Sequence, residues 1–206
     1  MISVLDYGAG NVGSVIRMIE RAGGAAQRIA SSEEVLNAQK LIIPGVGAFD
    51  YGMSHLVSGD LLPALNAMAF EARIPILGIC LGMQLMCRSS EEGTLPGLGW
   101  VDAEVRRFST ALVNDLPLPH MGWNTLSVVR ANPLLSSSEV EKRFYFVHTY
   151  KVNCNNAGDA IAWTHYGEDF VSAFQRQNIF GVQFHPEKSH RFGLDLMRCF
   201  MDLEVA

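Results

Sequence analysis

The stretch PILGICLGMQ, residues 75–84, begins as a short apolar run and passes through a cysteine framed by glycines into a segment of helical character. Ile76 to Ile79 reads as a buried strand and Leu81 onward as a helix, so Cys80 falls on the turn between them. Gly78 and Gly82, two residues to either side, complete a GxCxG pattern. A sharp strand-to-helix turn brings backbones close together, and residues without a Cβ relieve the crowding. A thiolate at a helix N-terminus is stabilised by the helix dipole and by N–H groups that have no partner within the helix. Cys80 is therefore a candidate nucleophile and the Leu81 N–H a candidate oxyanion donor.

Upstream, the chain alternates strands and helices. Ile2 to Leu5 reads as a strand, and Val12, Val15, Ile16 and Ile19 recur with helical spacing. Ala25 to Ala30 is a weaker strand, Ser32 to Ala38 a short helix with serine caps and an acidic first turn, and Lys40 to Ile43 a buried strand. Asp60 is read as the cap of a helix running through Ala72, with Pro63 in its first turn. Downstream, Trp100 to Phe108, Thr125 to Val129, Phe144 to Val152, Ala160 to His165, Val171 to Gln175 and Ile179 to Phe184 are strand-like, with loops between them. A last helix over residues 192–203 is expected to bury Phe192, Leu196, Cys199, Phe200 and Leu203. These patterns predict an α/β fold of three layers, a mostly parallel sheet flanked by helices, with antiparallel additions in the C-terminal half. One domain over residues 1–206 accommodates it, with the motifs on the rim formed by the strands' carboxyl ends.

With 16 basic and 21 acidic residues in 206, the net charge is −5, and no positive field exists to attract nucleic acid or anionic lipid. The N-terminus lacks a basic, then apolar, signal-peptide pattern, and the longest apolar run, Ile74 to Cys87, is too short for a bilayer and contains Gln84. A cytoplasmic protein without a membrane segment is expected. Cys80, Cys87, Cys154 and Cys199 contain no CxxC pair, so neither a zinc ribbon nor a dithiol redox site is indicated. Outside Cys80 they read as small buried hydrophobes. No histidine or carboxylate cluster has metal-ligand spacing, and no phosphate loop is present.

The thiol needs a base. Gln183-Phe184-His185-Pro186-Glu187 follows an apolar strand and sets an imidazole and a carboxylate at its end. His185 is the candidate general acid and base, with Glu187 fixing its tautomer and stabilising the imidazolium. His120 and His148 are read as buried or hydrogen-bonded groups, while His55, His165 and His190 have no persuasive context.

GxCxG joined to a downstream HPE resembles the class I, triad-type glutamine amidotransferases. PGVGAF (residues 44–49), PHMGWN (119–124), YFVHTY (145–150), QFHPEKS (183–189) and the N-terminal DYGAGNVGSV are, together and in order, similar to the glutaminase subunits of imidazole glycerol phosphate synthases. The resemblance spans residues 6–189. It implies Cys80, His185 and Glu187 as the triad that converts glutamine to glutamate and ammonia through a glutamyl thioester, with no cofactor. It also implies a second oxyanion donor in the PGVG loop, which falls on the Val46 N–H between Gly45 and Gly47, and glutamine contacts at Gly45, Gln84 and the Thr149 and Tyr150 backbone. Position 149 is more usually serine in the family. In 206 residues no additional synthase domain to use the ammonia is expected. The implied partner is the cyclase subunit, a (βα)₈ barrel forming a heterodimer with it and making imidazole glycerol phosphate and aminoimidazole carboxamide ribotide. Asn11, Trp123, Tyr145 and Lys188 occupy positions expected at that interface. Trp123 stands out as a large aromatic in what reads as a Gly and Asn loop.

Two other readings stay open at this point. Gly8, Gly10 and Gly13 spell GxGxxG between a strand and a helix, as a dinucleotide-binding oxidoreductase would require, although Tyr7 and Asn11 bring bulk there. A noncatalytic scaffold that only activates the partner is the other.

Overall fold

The computed structural model describes residues 1–113, 116–135 and 141–204. The N-terminal half alternates as the periodicity predicts: β1 (Ile2–Leu5), α1 (Val12–Arg21), β2 (Ala26–Ile29), α2 (Ser32–Leu36), β3 (Leu41–Gly45), α3 (Phe49–Ser58), α4 (Leu62–Asn66), β4 (Ile76–Cys80) and α5 (Leu81–Leu85). The chain continues through β5 (Ser89–Ser90), β6 (Ala103–Arg107), α6 (Thr110–Val113), β7 (His120–Thr125), β8 (Ser127–Val128), β9 (Arg143–His148), β10 (Tyr150–Cys154), β11 (Ala160–Tyr166), β12 (Glu168–Arg176), β13 (Ile179–Val182) and α7 (His190–Asp202).

Among the described residues an eleven-stranded sheet runs in the order β2-β1-β3-β4-β13-β12-β10-β6-β5, with β11 joined to β12 and β8 joined to β11. Period-two alternation divides its side chains between two cores. Leu41 and Ile43 of β3 face α2 to α5, whereas Ile42 faces α1 and α7. The result is the three-layer α/β arrangement expected. Strands β1 to β4 are parallel, and β12, β10 and β11 add antiparallel pairs. Not every addition is antiparallel: β13 lies parallel to β4 and β5 parallel to β6. The first of these matters most, because it lays the end of β13 beside the end of β4.

Several local expectations are corrected. Asp60 does not cap α4; Leu61 holds that position without a side-chain bond, and Asp60 turns the chain at φ 51°. The helix meant to reach Ala72 widens into a π-helical turn over Ala67–Glu71. Helix α3 had no expectation attached to it. Gly52 within α3 admits close packing on α5, since a Cβ there would lie 3.1 Å from Leu85 Cδ1. The Phe144 to Val152 run is two strands interrupted at Thr149. The segment around Trp123, read as a loop, is strand β7, paired antiparallel with β9 in a separate two-stranded ladder. In α7, Leu196, Met197 and Phe200 are buried, while Phe192, Cys199 and, just past the helix, Leu203 are only half-buried. Cys87 is buried as expected, but Cys154 is half-buried. No helix of the described residues is long and apolar enough to cross a membrane.

Candidate active site

The ends of β3, β4 and β13, with the β9–β10 junction, enclose a cleft of about 460 Å³ lined by Val46, Cys80, Gln84, Tyr150 and His185 among others. The elbow is as crowded as its glycines suggest. A Cβ on Gly82 would lie 1.8 Å from the Ile43 carbonyl oxygen, and one on Gly78 would lie 2.7 Å from the Gly82 carbonyl. Cys80 itself adopts φ 53°, a left-handed conformation that costs a non-glycine residue on the order of 1–3 kcal/mol. Packing over-determines that strain: Cys80 is buried, directly paired with Gly45 of β3.

His185 leaves the end of β13, and its N–H donates to the Tyr145 carbonyl at 2.9 Å. A one-turn 3₁₀ segment, Pro186–Lys188, then returns Glu187 beneath the ring. His185 Nδ1 and Glu187 Oε1 are 2.7 Å apart, with both side chains almost wholly buried. Nε2 is buried without a formed hydrogen bond, and the Cys80 thiol is its electrostatic neighbour. Burial alone would drive the imidazolium down. Contacts with Cys80 and Glu187 outweigh it and hold the group up at about 10.

The other expected residues fall around this centre. Gln84 Nε2 donates to the Tyr150 carbonyl at 3.2 Å and to Gln183 Oε1 at 3.0 Å. Thr149 lines the same wall. Gly45 admits the elbow, because a Cβ there would lie 2.7 Å from Gly82 N and from Tyr7 Oη. Leu81 begins α5, whose first N–H groups have no intrahelical acceptor. Val46 and Gly47 lie on the exposed rim, Gly47 at φ 100°. The Val46 N–H, however, donates to the Ala9 carbonyl at 3.1 Å and is not free to receive an oxyanion here.

Trp123 is 42% exposed, stacked 5.5 Å from His190 and set edge-on to Tyr145. Lys188 Nζ stands 5.5 Å over the Tyr145 ring, so these three expected interface residues form one patch. Asn11 caps α1, its side chain accepting the Ser14 N–H at 3.2 Å.

Gly8 and Gly10 are explained without a dinucleotide: a Cβ on Gly8 would lie 2.7 Å from His55 Nδ1, and one on Gly10 would lie 2.9 Å from the Pro44 carbonyl oxygen. They let the N-terminal loop pack against α3 and β3. Three residues in or beside the cleft were not read as site residues from sequence. Gln183 Nε2 donates to Cys80 Sγ at 3.6 Å, His148 lines the wall, and Glu92 lines the rim while accepting the Phe49 N–H at 2.9 Å. Glu92 lies in a turn where a carboxylate is ordinary. Gln183, by contrast, is an amide at the end of an apolar strand, a signal that was available.

A cysteine elbow on the rim of a three-layer sheet, facing a histidine paired with a glutamate, defines a site of the amidotransferase kind. The family model for class-I glutamine amidotransferases matches residues 3–201. The imidazole glycerol phosphate synthase subunit HisH 2 of Pseudomonas aeruginosa is 45% identical over 203 residues, covering 98% of this chain and 100% of that one. The subunit of the same name from Methanococcus maripaludis is 46% identical over 201 residues, covering 98% of each. The solved PurLQS structure from Thermotoga maritima shares the fold with a TM-score of 0.75 at 16% identity, covering 98% of this chain and 97% of that one. A solved glutamine amidotransferase from the same organism does so with a TM-score of 0.61 at 14% identity, covering 98% of this chain and 82% of that one. The chain belongs to the class I glutamine amidotransferases and, within them, to the family of imidazole glycerol phosphate synthase subunit HisH.

Proposed function

We propose that the chain hydrolyses the side-chain amide of glutamine at Cys80 and passes the ammonia to the cyclase subunit of imidazole glycerol phosphate synthase. The observation that carries this is Cys80, strained on its elbow, beside a buried His185 bonded to Glu187. The Cys80 thiolate attacks the amide carbon of glutamine, and the carbonyl oxygen takes the negative charge against the Leu81 N–H. His185 Nε2 gives its proton to the departing nitrogen, the C–N bond breaks, and ammonia and a glutamyl thioester result. Water then attacks the thioester with His185 as base, releasing glutamate and restoring the Cys80 thiolate and the protonated His185.

The cleft suits the rest of the substrate. Both hydrogens of the Gln84 amide nitrogen are engaged, so its oxygen is the atom left for an α-ammonium, and the Glu92 carboxylate on the rim complements the same charge. The second oxyanion donor is the Val46 N–H, released from Ala9 by rotation of the peptide ahead of Gly47. Until that rotation the hole is half-built, and the uncomplexed subunit is slow.

The partner in this reading is a (βα)₈ barrel, bound one-to-one in the cytoplasm through Trp123, Tyr145, Lys188 and Asn11. The joint products are imidazole glycerol phosphate and aminoimidazole carboxamide ribotide. The test is glutamate release by the chain and by Cys80→Ala, each alone and with the cyclase subunit plus its acceptor ligand. Release confined to the wild-type complex is the expected result. A formed complex without release in any condition would leave an activating scaffold as the better account.

A further inference from the structure

A chain of hydrogen bonds runs beneath the cleft from β7 to the nucleophile, and its direction is fixed at both ends. Asn124 is pinned: its Oδ1 accepts the Thr125 N–H at 2.8 Å, and its Nδ2 donates to the His165 carbonyl at 2.9 Å and lies 3.2 Å from His120 Nε2. At the other end His148 Nδ1 lies 2.8 Å from the Tyr150 carbonyl oxygen, which can only accept. Between them His120 Nδ1 and His148 Nε2 are 3.0 Å apart. One arrangement of protons satisfies all of these contacts: Asn124 donates to His120 Nε2, His120 Nδ1–H donates to His148 Nε2, and His148 Nδ1–H donates to Tyr150.

From this geometry we propose that His120 and His148 are positioning residues, a pair of neutral, direction-locked imidazoles that holds the Tyr150 carbonyl and, through it, Gln84 in place for glutamine. The inference rests on the assignment of the cleft to glutamine. The Tyr150 carbonyl is shared between His148 and Gln84, Gln84 donates onward to Gln183, and Gln183 donates to Cys80 Sγ. The orientation of Gln84, and so of its free oxygen, is set by acceptors that the histidine pair helps to hold.

The surroundings keep both rings neutral. His120 is 3% exposed, stacked between Phe146 and Tyr166, and His148 is 6% exposed against Phe108 and Phe170. Burial drives His120 down to about 4 and His148 down to about 3, and the charge on His185 disfavours a second proton on His148. A second proton on either ring would also set two N–H groups against each other or against the Asn124 amide. With their donors committed, these rings are not a proton shuttle.

The test uses the complex with the cyclase subunit. In His120→Leu, His148 loses its donor, and the KM for glutamine is expected to rise roughly tenfold, with kcat changed less than about threefold. His120→Asn, whose amide nitrogen can stand where Nδ1 stood, is expected to restore KM to within about threefold. Nitrogen-15 spectra of the histidine-labelled wild type are expected to show both rings neutral and protonated on Nδ1 at about pH 6, where an unperturbed histidine is mostly charged. An unchanged KM in His120→Leu, or a charged or Nε2-protonated ring at either position, overturns the proposal. A wild-type complex that releases no glutamate overturns the assignment of the cleft instead, and the spectra still decide the state of the pair. If His120→Leu fails to fold, His120→Asn and the spectra decide.

Discussion

His185 Nδ1 and Glu187 Oε1 lie 2.7 Å apart, and both side chains are buried. The carboxylate both orients the ring and offsets its positive charge. Glu187→Gln keeps an acceptor and removes the charge. Glutamine turnover in the complex is expected to fall on the order of 10²-fold, mainly in kcat, because the group acts through His185. Steady-state kinetics would check this, and a loss confined to KM would contradict it.

Cys80 holds a left-handed φ of 53° that glycine adopts without strain. Cys80→Gly is expected to abolish glutamine hydrolysis and to be about 1 kcal/mol more stable than Cys80→Ala, which loses the same buried sulfur but keeps the strained backbone. Urea unfolding of the two proteins measures the difference. A Cys80→Gly variant no more stable than Cys80→Ala would mean that the elbow is not strained in solution.

Gly82 and Gly47, each next to a candidate oxyanion donor, should respond differently to alanine. At Gly82 a Cβ would meet the Ile43 carbonyl oxygen at 1.8 Å, backbone that cannot move without parting β3 from α5. Gly82→Ala is expected to cost about 3 kcal/mol or more, visible as loss of soluble folded protein. At Gly47 a Cβ would meet nothing within 4 Å, but φ is 100°. Gly47→Ala should keep the fold, cost about 1 kcal/mol, and lower kcat in the complex by restricting the Val46 peptide.

Acid and alkaline limbs of stability have separate origins. His120 and His148 are held down at about 4 and about 3, so between those values and 6.5 the unfolded chain binds protons that the native state refuses. Stability therefore falls as pH drops through that window, by up to about 1.4 kcal/mol per pH unit for each ring. His185 is held up at about 10, so its contribution is complete below 6.5 and is lost as pH rises towards 10. Denaturant midpoints are expected to peak near 6.5. Glu187→Gln should weaken the alkaline limb in part, because the contact with Cys80 remains, and leave the acid one, and a wild-type acid limb without slope would contradict the assignment.

Trp123 is half-exposed on β7, braced by His190 and Tyr145. Trp123→Ala is expected to leave the subunit's thermal midpoint unchanged and to weaken cyclase binding by about tenfold or more in a calorimetric titration. Unchanged affinity would move the interface off this patch.

The parts legible in advance were those governed by neighbours along the chain. Apolar residues run through β1, β3 and β4 and repeat at helical spacing in α1 because each element buries its apolar surface, whatever it meets there. The GxCxG elbow was legible for the same reason, since the crowding it relieves lies partly between residues a few positions apart. His185 and Glu187 are two residues apart and need only one turn to meet.

Contacts between distant segments were not legible, because no local pattern announces an acceptor supplied from elsewhere. Nothing in the mixed polarity of HMGWNT marks His120 to Thr125 as a strand; pairing with β9 makes it one. Lys151, a charge within an apolar strand, is tolerated because Glu168 lies 3.0 Å away on a neighbouring strand. The Val46 N–H reads the same in any peptide, and only the approach of Ala9 shows that it is turned from the cleft. The three-dimensional arrangement of neighbouring segments decides all three. Short-range sterics and burial shaped the cysteine elbow, the His185–Glu187 turn and the helices and strands around them, while long-range packing brought the end of β13 beside the end of β4 and chose the partners of the histidine pair and of the Val46 N–H.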